Sequence, residues 1–478
     1  MVNTHYIYSS QVLLGDRDSN PSGHLIGVSN GTITELKRCD SNEWREAVPA
    51  GASSDDLGDC LITPTFVNGH THLSMSAFRG IGLDAMAGNV VEDLYFKLES
   101  NLTANDVRAF TRMGAYDSLL CGVGTVWDHY YFGYAIADAL VDVGLTGVIG
   151  PTLQDIAGPG VSHLGAQIDA TIGIAESNHY RQHGIVAAVA PHATDTVSDT
   201  LWGEISRIAE DHTLPVHTHA AQSIEEYTRS LEVHGASPMQ RLNRLGVLDA
   251  GPGTLLVHSL FVTQADLKML SAKSVRLGYC PFSQVQFCFP AAIGHWVDAG
   301  IEMMLGTDCG ACNDTMNVQQ ELRALANGGA FGIQGGEDFV KFYHSGKLED
   351  AHRVETVRVT ERQDRLPYSE PHALLDTVWN TPSKFHPSYP SGVLAVGHPA
   401  NLAVWDLDHP SCWPAESVRR ALTMSDMSSA LIGMMTQGQW RGSLGDFARS
   451  ICTSPEYRDA RREAHGRLRA LKQKLGIP

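Results

Sequence analysis

The sequence has no apolar run long enough to cross a bilayer, which argues against a helical membrane protein. Its first residues, Met1-Val2-Asn3-Thr4-His5-Tyr6, carry no basic segment leading into a long apolar stretch, so no secretory leader is expected. Positive charge is scarce: 35 Lys and Arg stand against 53 Asp and Glu, for a net charge of -18. So acidic a chain repels phosphate backbones and anionic lipid, and neither nucleic acid nor a membrane is expected as its main partner. A disulfide framework is also missing. The nine cysteines are odd in number and mostly scattered, the usage of a reducing, cytoplasmic compartment. Only Cys309-Gly310-Ala311-Cys312 has CxxC spacing. With no second CxxC to complete a four-cysteine zinc site, it reads as two small buried thiols.

What is present is size and periodicity. With 478 residues, 43% hydrophobic and 18% charged, the chain can bury a large α/β core plus a satellite. Residues 5–60 read as short strands and turns, with Ser29-Asn30-Gly31 as a hairpin turn. From residue 61 the pattern changes to βα alternation. Eight short apolar strands are predicted at 61–68, 122–128, 145–150, 185–191, 214–219, 253–258, 274–280 and 302–307. Helical-period segments such as Asn105 to Leu120 and Leu201 to Asp211 separate most of them. Eight such units are the pattern of a (β/α)8 TIM barrel over 61–389, with a doubly wound sheet as the alternative. Residues 335–370 read as a charged, irregular surface insertion or lid. Strand and turn chemistry returns at 390–446 and is expected to join 1–60 in a small β-sandwich built from both chain ends. The segment 447–478 ends in a helical pattern, expected to pack on the body or to join copies in a homo-oligomer.

Histidine carries the functional signal. His70-Thr71-His72 ends an apolar run, and residues two apart on a strand face the same side. Two imidazoles on one strand tip make half of a divalent-metal site. Six of the eight strand ends bear His or Asp: His70/His72, Asp128-His129, His192, His217/His219, His258 and Asp308. In a barrel these ends share one face, where function sits. His217 lies one step deeper than His219, which favours burial with a hydrogen bond.

These segments resemble the amidohydrolase superfamily, in its branch of triazine hydrolases and guanine and adenosine-analogue deaminases. Pro64-Thr65-Phe66-Val67-Asn68-Gly69-His70-Thr71-His72 is similar to that branch's PGFVNxHxH strand, with Thr65 in place of Gly. Phe78-Arg79-Gly80, Gly124-Thr125-Val126-Trp127-Asp128, Ala190-Pro191-His192-Ala193 and Leu305-Gly306-Thr307-Asp308 follow in the branch's order, and Val393 to Asp406 resembles its closing strand pair. Asn313 matches the branch's Asn, while Cys312 stands where Ser is usual and Gln284 where Asn is.

The resemblance implies a (β/α)8 metallohydrolase with one divalent metal per chain, held by His70, His72, His219 and Asp308. Zn²⁺ suits that ligand set, and Fe²⁺ or Co²⁺ can occupy it. No lysine lies near the end of the fourth strand, so a binuclear site bridged by a modified lysine is not expected. Implied catalytic groups are Asp308, His258 and Gln222. Implied substrate contacts are His192, Trp127, Asp128, Phe282 and Asn313, with Tyr130, Tyr131, Phe132 and Phe287 as further lining for an uncharged ring.

One departure bears on the reaction. Deaminating members read His-x-x-Glu where this chain reads His219-Ala220-Ala221-Gln222. An amide cannot transfer a proton near neutral pH. The expected reaction is therefore hydrolysis of an amide, carbamate or urea C–N bond in a small, uncharged or aromatic molecule. The alternative is a deaminase or dechlorinase of a purine, pyrimidine or triazine, and a non-catalytic binding protein on the same fold ranks last.

Overall fold

The computed structural model describes residues 4–17, 20–81, 90–287, 293–327, 336–364, 370–388 and 390–477. The fold is mixed α/β. Both ends of the chain share one eight-stranded sheet. Its edge-to-edge order is Gln439–Arg441, Leu431–Thr436, Leu402–Trp405, Leu61–Pro64, His5–Val12, Ser22–Ser29 and Thr32–Arg38, with Ser53–Asp56 beside His5–Val12. By hydrogen bonding this is a single sheet.

The expected first barrel strand, 61–68, is two strands. Leu61–Pro64 pairs antiparallel with Leu402–Trp405 in the terminal sheet, and Phe66–His72 pairs parallel with Val123–Tyr130. The chain changes sheets at Thr65, whose N–H donates to the Asn401 carbonyl (3.2 Å). One apolar run therefore serves two sheets, and periodicity alone cannot place the break.

The parallel strands follow the predicted order. Phe66–His72, Val123–Tyr130, Thr146–Leu153, Ile185–Ala187 and Ala190–Pro191 lie in one sheet with Asp308–Cys309. Val216–Ala220, Thr254–His258, Val275–Tyr279 and Met303–Leu305 form a second. Isolated bridges, Val189 with Val216 and Ala193 with His219, join the sheets on one side. On the other side the last strand is interrupted between Leu305 and Asp308, so the ladder is not one closed ring. Alternate residues of these strands form a buried inner cluster that includes Val67, Trp127, Val148, Leu255, Val257 and Met304.

Helices flank the strands where the sequence supplies caps. Thr103 and Asp106 make a capping box for Ala104–Leu120, and Ser198 caps Asp199–Asp211, which buries Leu201, Trp202, Ile205 and Ala209. The region read as an irregular lid is helical where described: Glu337–Ser345 and Leu348–Asp364. Charge pairs one turn apart, Lys341 with Glu337 and Arg358 with Glu355 (both 2.7 Å), support helices that bury little. Gly335 and residues 365–369 lie outside the described residues. The last helix, Pro455–Leu475, packs on Ala104–Leu120 through Tyr457 against Tyr116 and through Glu463 paired with Arg112. Among the described residues, no helix is long and apolar enough to cross a membrane.

Candidate metal centre

The strand order delivers six histidines and one aspartate to one end of the parallel sheets. His70 and His72 come from one strand, His129 from the strand beside it, His192 from the end of Ala190–Pro191 beyond the intervening Thr146–Leu153, and His219, His258 and Asp308 from the remainder. Their rings are in mutual contact, with centroids 4.7 Å apart for His70–His72, 5.0 Å for His70–His219 and 5.3 Å for His72–His219. Close approach of the last strand to the first depends on Gly306. A Cβ there would lie 2.6 Å from the His70 backbone.

Backbone carbonyls set the tautomers. His72 donates from Nδ1 to the His129 carbonyl, and His219 donates from Nδ1 to the His192 carbonyl (2.6 Å). His70 Nδ1 shares a hydrogen bond with His217 Nε2 (2.9 Å). Because their Nδ1 atoms donate to carbonyls, the His72 and His219 rings keep the Nε2 lone pair for another partner. The Nε2 of His70 is buried and has no hydrogen-bond partner. It lies 3.9 Å from Asp308 Oδ1, and His72 Nε2 lies 3.5 Å from the same oxygen. His70, His72 and Asp308 can offer one atom each within 4.8 Å of one another, as can His70, His219 and His258. Burial, reinforced by the neighbouring imidazoles, holds His70 well below its ordinary pKa. Neutral imidazoles with free lone pairs facing a carboxylate are the donor set of a divalent transition metal.

His258 is arranged differently. Gln284 donates from Nε2 to its Nδ1 (3.1 Å). The proton of the neutral ring then sits on Nε2, 3.9 Å from Asp308 Oδ2. Burial lowers the His258 pKa to about 4, against the opposing pull of Asp308. An N–H pointed at the centre suits a hydrogen-bond donor better than a ligand. His258 and Asp308 both have left-handed backbones (φ +70° and +60°), a conformation that costs non-glycine residues on the order of 1–3 kcal/mol and clusters at functional sites.

These groups floor a cavity lined by His72, His129, His192, His219, Gln222, His258 and Asp308, and by Tyr95, Phe96, Glu99, Tyr130, Tyr131 and Phe287. Of the residues expected at the site, His70 lies buried just behind the lining. His192 faces the cavity and shares a hydrogen bond with Thr196 (2.9 Å). Four expected substrate contacts stand apart from it. Trp127 is fully buried in the inner cluster and stacks on Phe385 at 5.2 Å. Asp128 is buried and accepts from the Leu73 N–H (2.8 Å). Asn313 donates to the Thr307 carbonyl (2.7 Å) and to Glu321 (2.6 Å). Phe282 points outward, 39% exposed.

Three contributors were given no role by sequence reasoning. His129 anchors His72 through its carbonyl while its own ring bonds Thr152 (3.1 Å) and the Pro191 carbonyl (3.2 Å). Gln284 sets the His258 tautomer, and its place beside Ser283 in the seventh-strand segment was the available signal. Glu99 is 7% exposed, and burial pushes its carboxyl up to about 7, partly offset by the facing Tyr130 hydroxyl. Nothing in the local pattern distinguishes that glutamate from a surface one.

A 5-methylthioadenosine/S-adenosylhomocysteine deaminase from Natronomonas pharaonis is 28% identical over 287 residues, covering 59% of this chain and 65% of its own length. The aligned region is thus somewhat under two thirds of that relative. An adenosine deaminase from Xanthomonas campestris with bound zinc superposes with a TM-score of 0.75 at 19% identity over 98% of both chains. Atrazine chlorohydrolase from Arthrobacter aurescens TC1, complexed with zinc, superposes with a TM-score of 0.74 at 17% identity, covering 98% of this chain and 99% of its own. At those identities the structures speak to fold alone. The sequence model of the amidohydrolase family matches residues 61–332, more than half of the chain, and the chain belongs to that family.

Proposed function

We propose that this protein is a metal-dependent hydrolase that cleaves a C–N bond in a small, uncharged, aromatic-bearing molecule. The observation that carries this reading is the convergence of neutral imidazoles and one carboxylate, with His70, His72 and Asp308 each offering one atom within 4.8 Å of the others, at the floor of an aromatic-lined cavity. His70, His72, His219 and Asp308 would hold one divalent ion, with Zn²⁺ the first choice by ligand type. Such an ion supplies Lewis acidity, acidifying water and polarising the group under attack.

The chain's own groups do the rest. Asp308 accepts the proton of the attacking water, with Oδ2 oriented by the Ser283 hydroxyl (2.7 Å). His258 presents its Nε2–H to the oxygen that gains charge, a role that needs a donor fixed in advance. Gln222 hydrogen-bonds the substrate, and Glu99 offers a polar contact from the opposite wall. For the architecture, the two parallel sheets read as a (β/α)8 barrel completed across the break after Leu305, and the terminal sheet as the small β-sandwich. Cytoplasmic residence and homo-oligomer formation complete the proposal.

Gln222 favours an acyclic amide, carbamate or urea, because the shuttle needed to protonate a ring nitrogen is absent at that position. A second reading, deamination or dechlorination of an N-heterocycle, has its own support. The relative from Natronomonas pharaonis is a deaminase of adenosine derivatives, and Glu99, with its pKa at about 7, is a proton donor inside the cavity. Metal-loaded protein assayed against amides, ureas, carbamates, purines and triazines separates the two by product: amine with carboxylate or CO₂, against ammonia or chloride. Carbonyl C–N hydrolysis is expected. Gln222→Glu places a carboxylate beside the site and should shift the pH–rate profile. Wild-type deamination of a heterocycle, with no carbonyl C–N hydrolysis, overturns the preferred substrate class and leaves the metal centre standing.

A further inference from the structure

The CxxC segment holds two small buried thiols, as its spacing suggests, but they lie at the site rather than in the remote core. Cys309 and Cys312 both line the cavity beside Asp308, and their sulfurs lie 3.0 Å apart. One atom each from Asp308, Cys309 and Cys312 falls within 4.8 Å of the others. The two oxygens of Asp308 face different ways. Oδ1 is turned to His70 and His72, whereas Oδ2 accepts from Ser283 Oγ, which is itself 3.5 Å from Cys312 Sγ. A fourth donor stands alongside: the buried Tyr95 hydroxyl is turned toward Cys309.

We propose that Asp308 Oδ2, Cys309 Sγ and Cys312 Sγ form a second, thiophilic site for a divalent ion such as Zn²⁺ or Cd²⁺, with Asp308 as the carboxylate shared between it and the histidine site. Two sulfurs and one carboxylate oxygen select soft or borderline ions over Mg²⁺ or Ca²⁺. Binding forms two metal–sulfur bonds and releases both thiol protons to solvent, so affinity rises with pH. The ion reaches the site through the cavity that admits substrate. Occupancy engages the Asp308 oxygen assigned above as proton acceptor, so the second ion inhibits. That consequence rests on the proposed role of Asp308, whereas the site itself does not.

The test uses full-length protein, kept reduced by a phosphine and already carrying one metal equivalent. Cd²⁺ is added while the ultraviolet thiolate-to-cadmium charge-transfer band and the calorimetric stoichiometry are read. One further equivalent is expected, with a band of two thiolates per ion that disappears in Cys309→Ser/Cys312→Ser and persists in Cys280→Ser. His70→Ala should lose the first metal and keep the band, which separates failure of the histidine site from failure of this one. Because the band is read on the wild type, the proposal does not depend on a variant folding. No band in reduced wild type, a band that survives the double substitution, or loss of two titratable thiols to a disulfide without metal uptake would each overturn it. A band with no inhibition supports the site and counts against Asp308 as proton acceptor.

Discussion

The two walls of the cavity are built on different principles. On one, His72, His192, His219 and Asp308 stand on or at the ends of parallel strands, and the backbone carbonyls of neighbouring strands aim the His72 and His219 rings. Strand register alone fixes these groups relative to one another. On the other, Tyr95, Phe96, Glu99 and Phe287 come from short helical segments and turns. The first wall fixes atoms to the accuracy that a metal needs. The second presents apolar area with one buried acid, the kind of surface that varies without disturbing the chemistry.

The strongest challenge to this division is removal of one of the strand-end residues proposed as metal ligands. His70→Ala or Asp308→Ala should abolish both metal retention and turnover, and stripping the metal from the wild type with a chelator should do the same reversibly. Elemental analysis alongside the activity assay measures both. Full activity in either variant would remove the proposed centre. A smaller effect is expected from His258→Ala: kcat lower by on the order of 10²–10⁴, with metal content near wild type. Loss of the metal would instead make His258 a ligand, and its Gln284-set tautomer would need revision.

The division also marks what could be read from the sequence. Strand-end histidines were legible because β geometry ties spacing to direction: His70 and His72 had to share a face wherever that strand lay. The order of βα units was legible for the same reason. The change of sheet at Thr65 was not, because Leu61–Pro64 and Phe66–His72 form one apolar run whose partners, Leu402–Trp405 and Val123–Tyr130, are far apart in the chain. The second wall was the least legible. Glu99 acquires its character from burial, and Trp127 faces inward rather than toward the cavity although it immediately precedes the strand-end Asp128.

Trp127 sharpens that point. It stacks on Phe385 at 5.2 Å, away from the cavity lining. Trp127→Ala should cost about 3–5 kcal/mol of stability, the usual range for deleting a buried indole, while KM moves less than the stability does. Denaturant unfolding and steady-state kinetics on the same preparation compare the two. A large rise in KM with unchanged stability would put the indole against the substrate after all.

The smallest expected effect concerns how the CxxC side of the cavity is held. Glu321 is fully buried, accepting from the Phe282 N–H (2.9 Å) and from Asn313 (2.6 Å), and so ties the turns after the last two strands together. Burial pushes its pKa up to about 8, against partial offsets from those two hydrogen bonds. The folded state therefore keeps this proton up to about pH 8, while the unfolded chain releases it above the ordinary value of 4.5. Between those values the folded state binds more protons than the unfolded state, so the slope of stability against pH is negative. The contribution is full below pH 4.5 and is lost as pH rises through about 8. Glu321→Gln has no proton to lose. Its amide N–H₂ meets one of the two donors, which should cost about 1–3 kcal/mol at low pH. The gap between the proteins should then narrow as pH rises, because only the wild type weakens through this group. Urea unfolding of both proteins at matched metal content from pH 5 to 9 measures the gap, and a gap that stays constant across that range would show that Glu321 is ionised in the folded protein throughout.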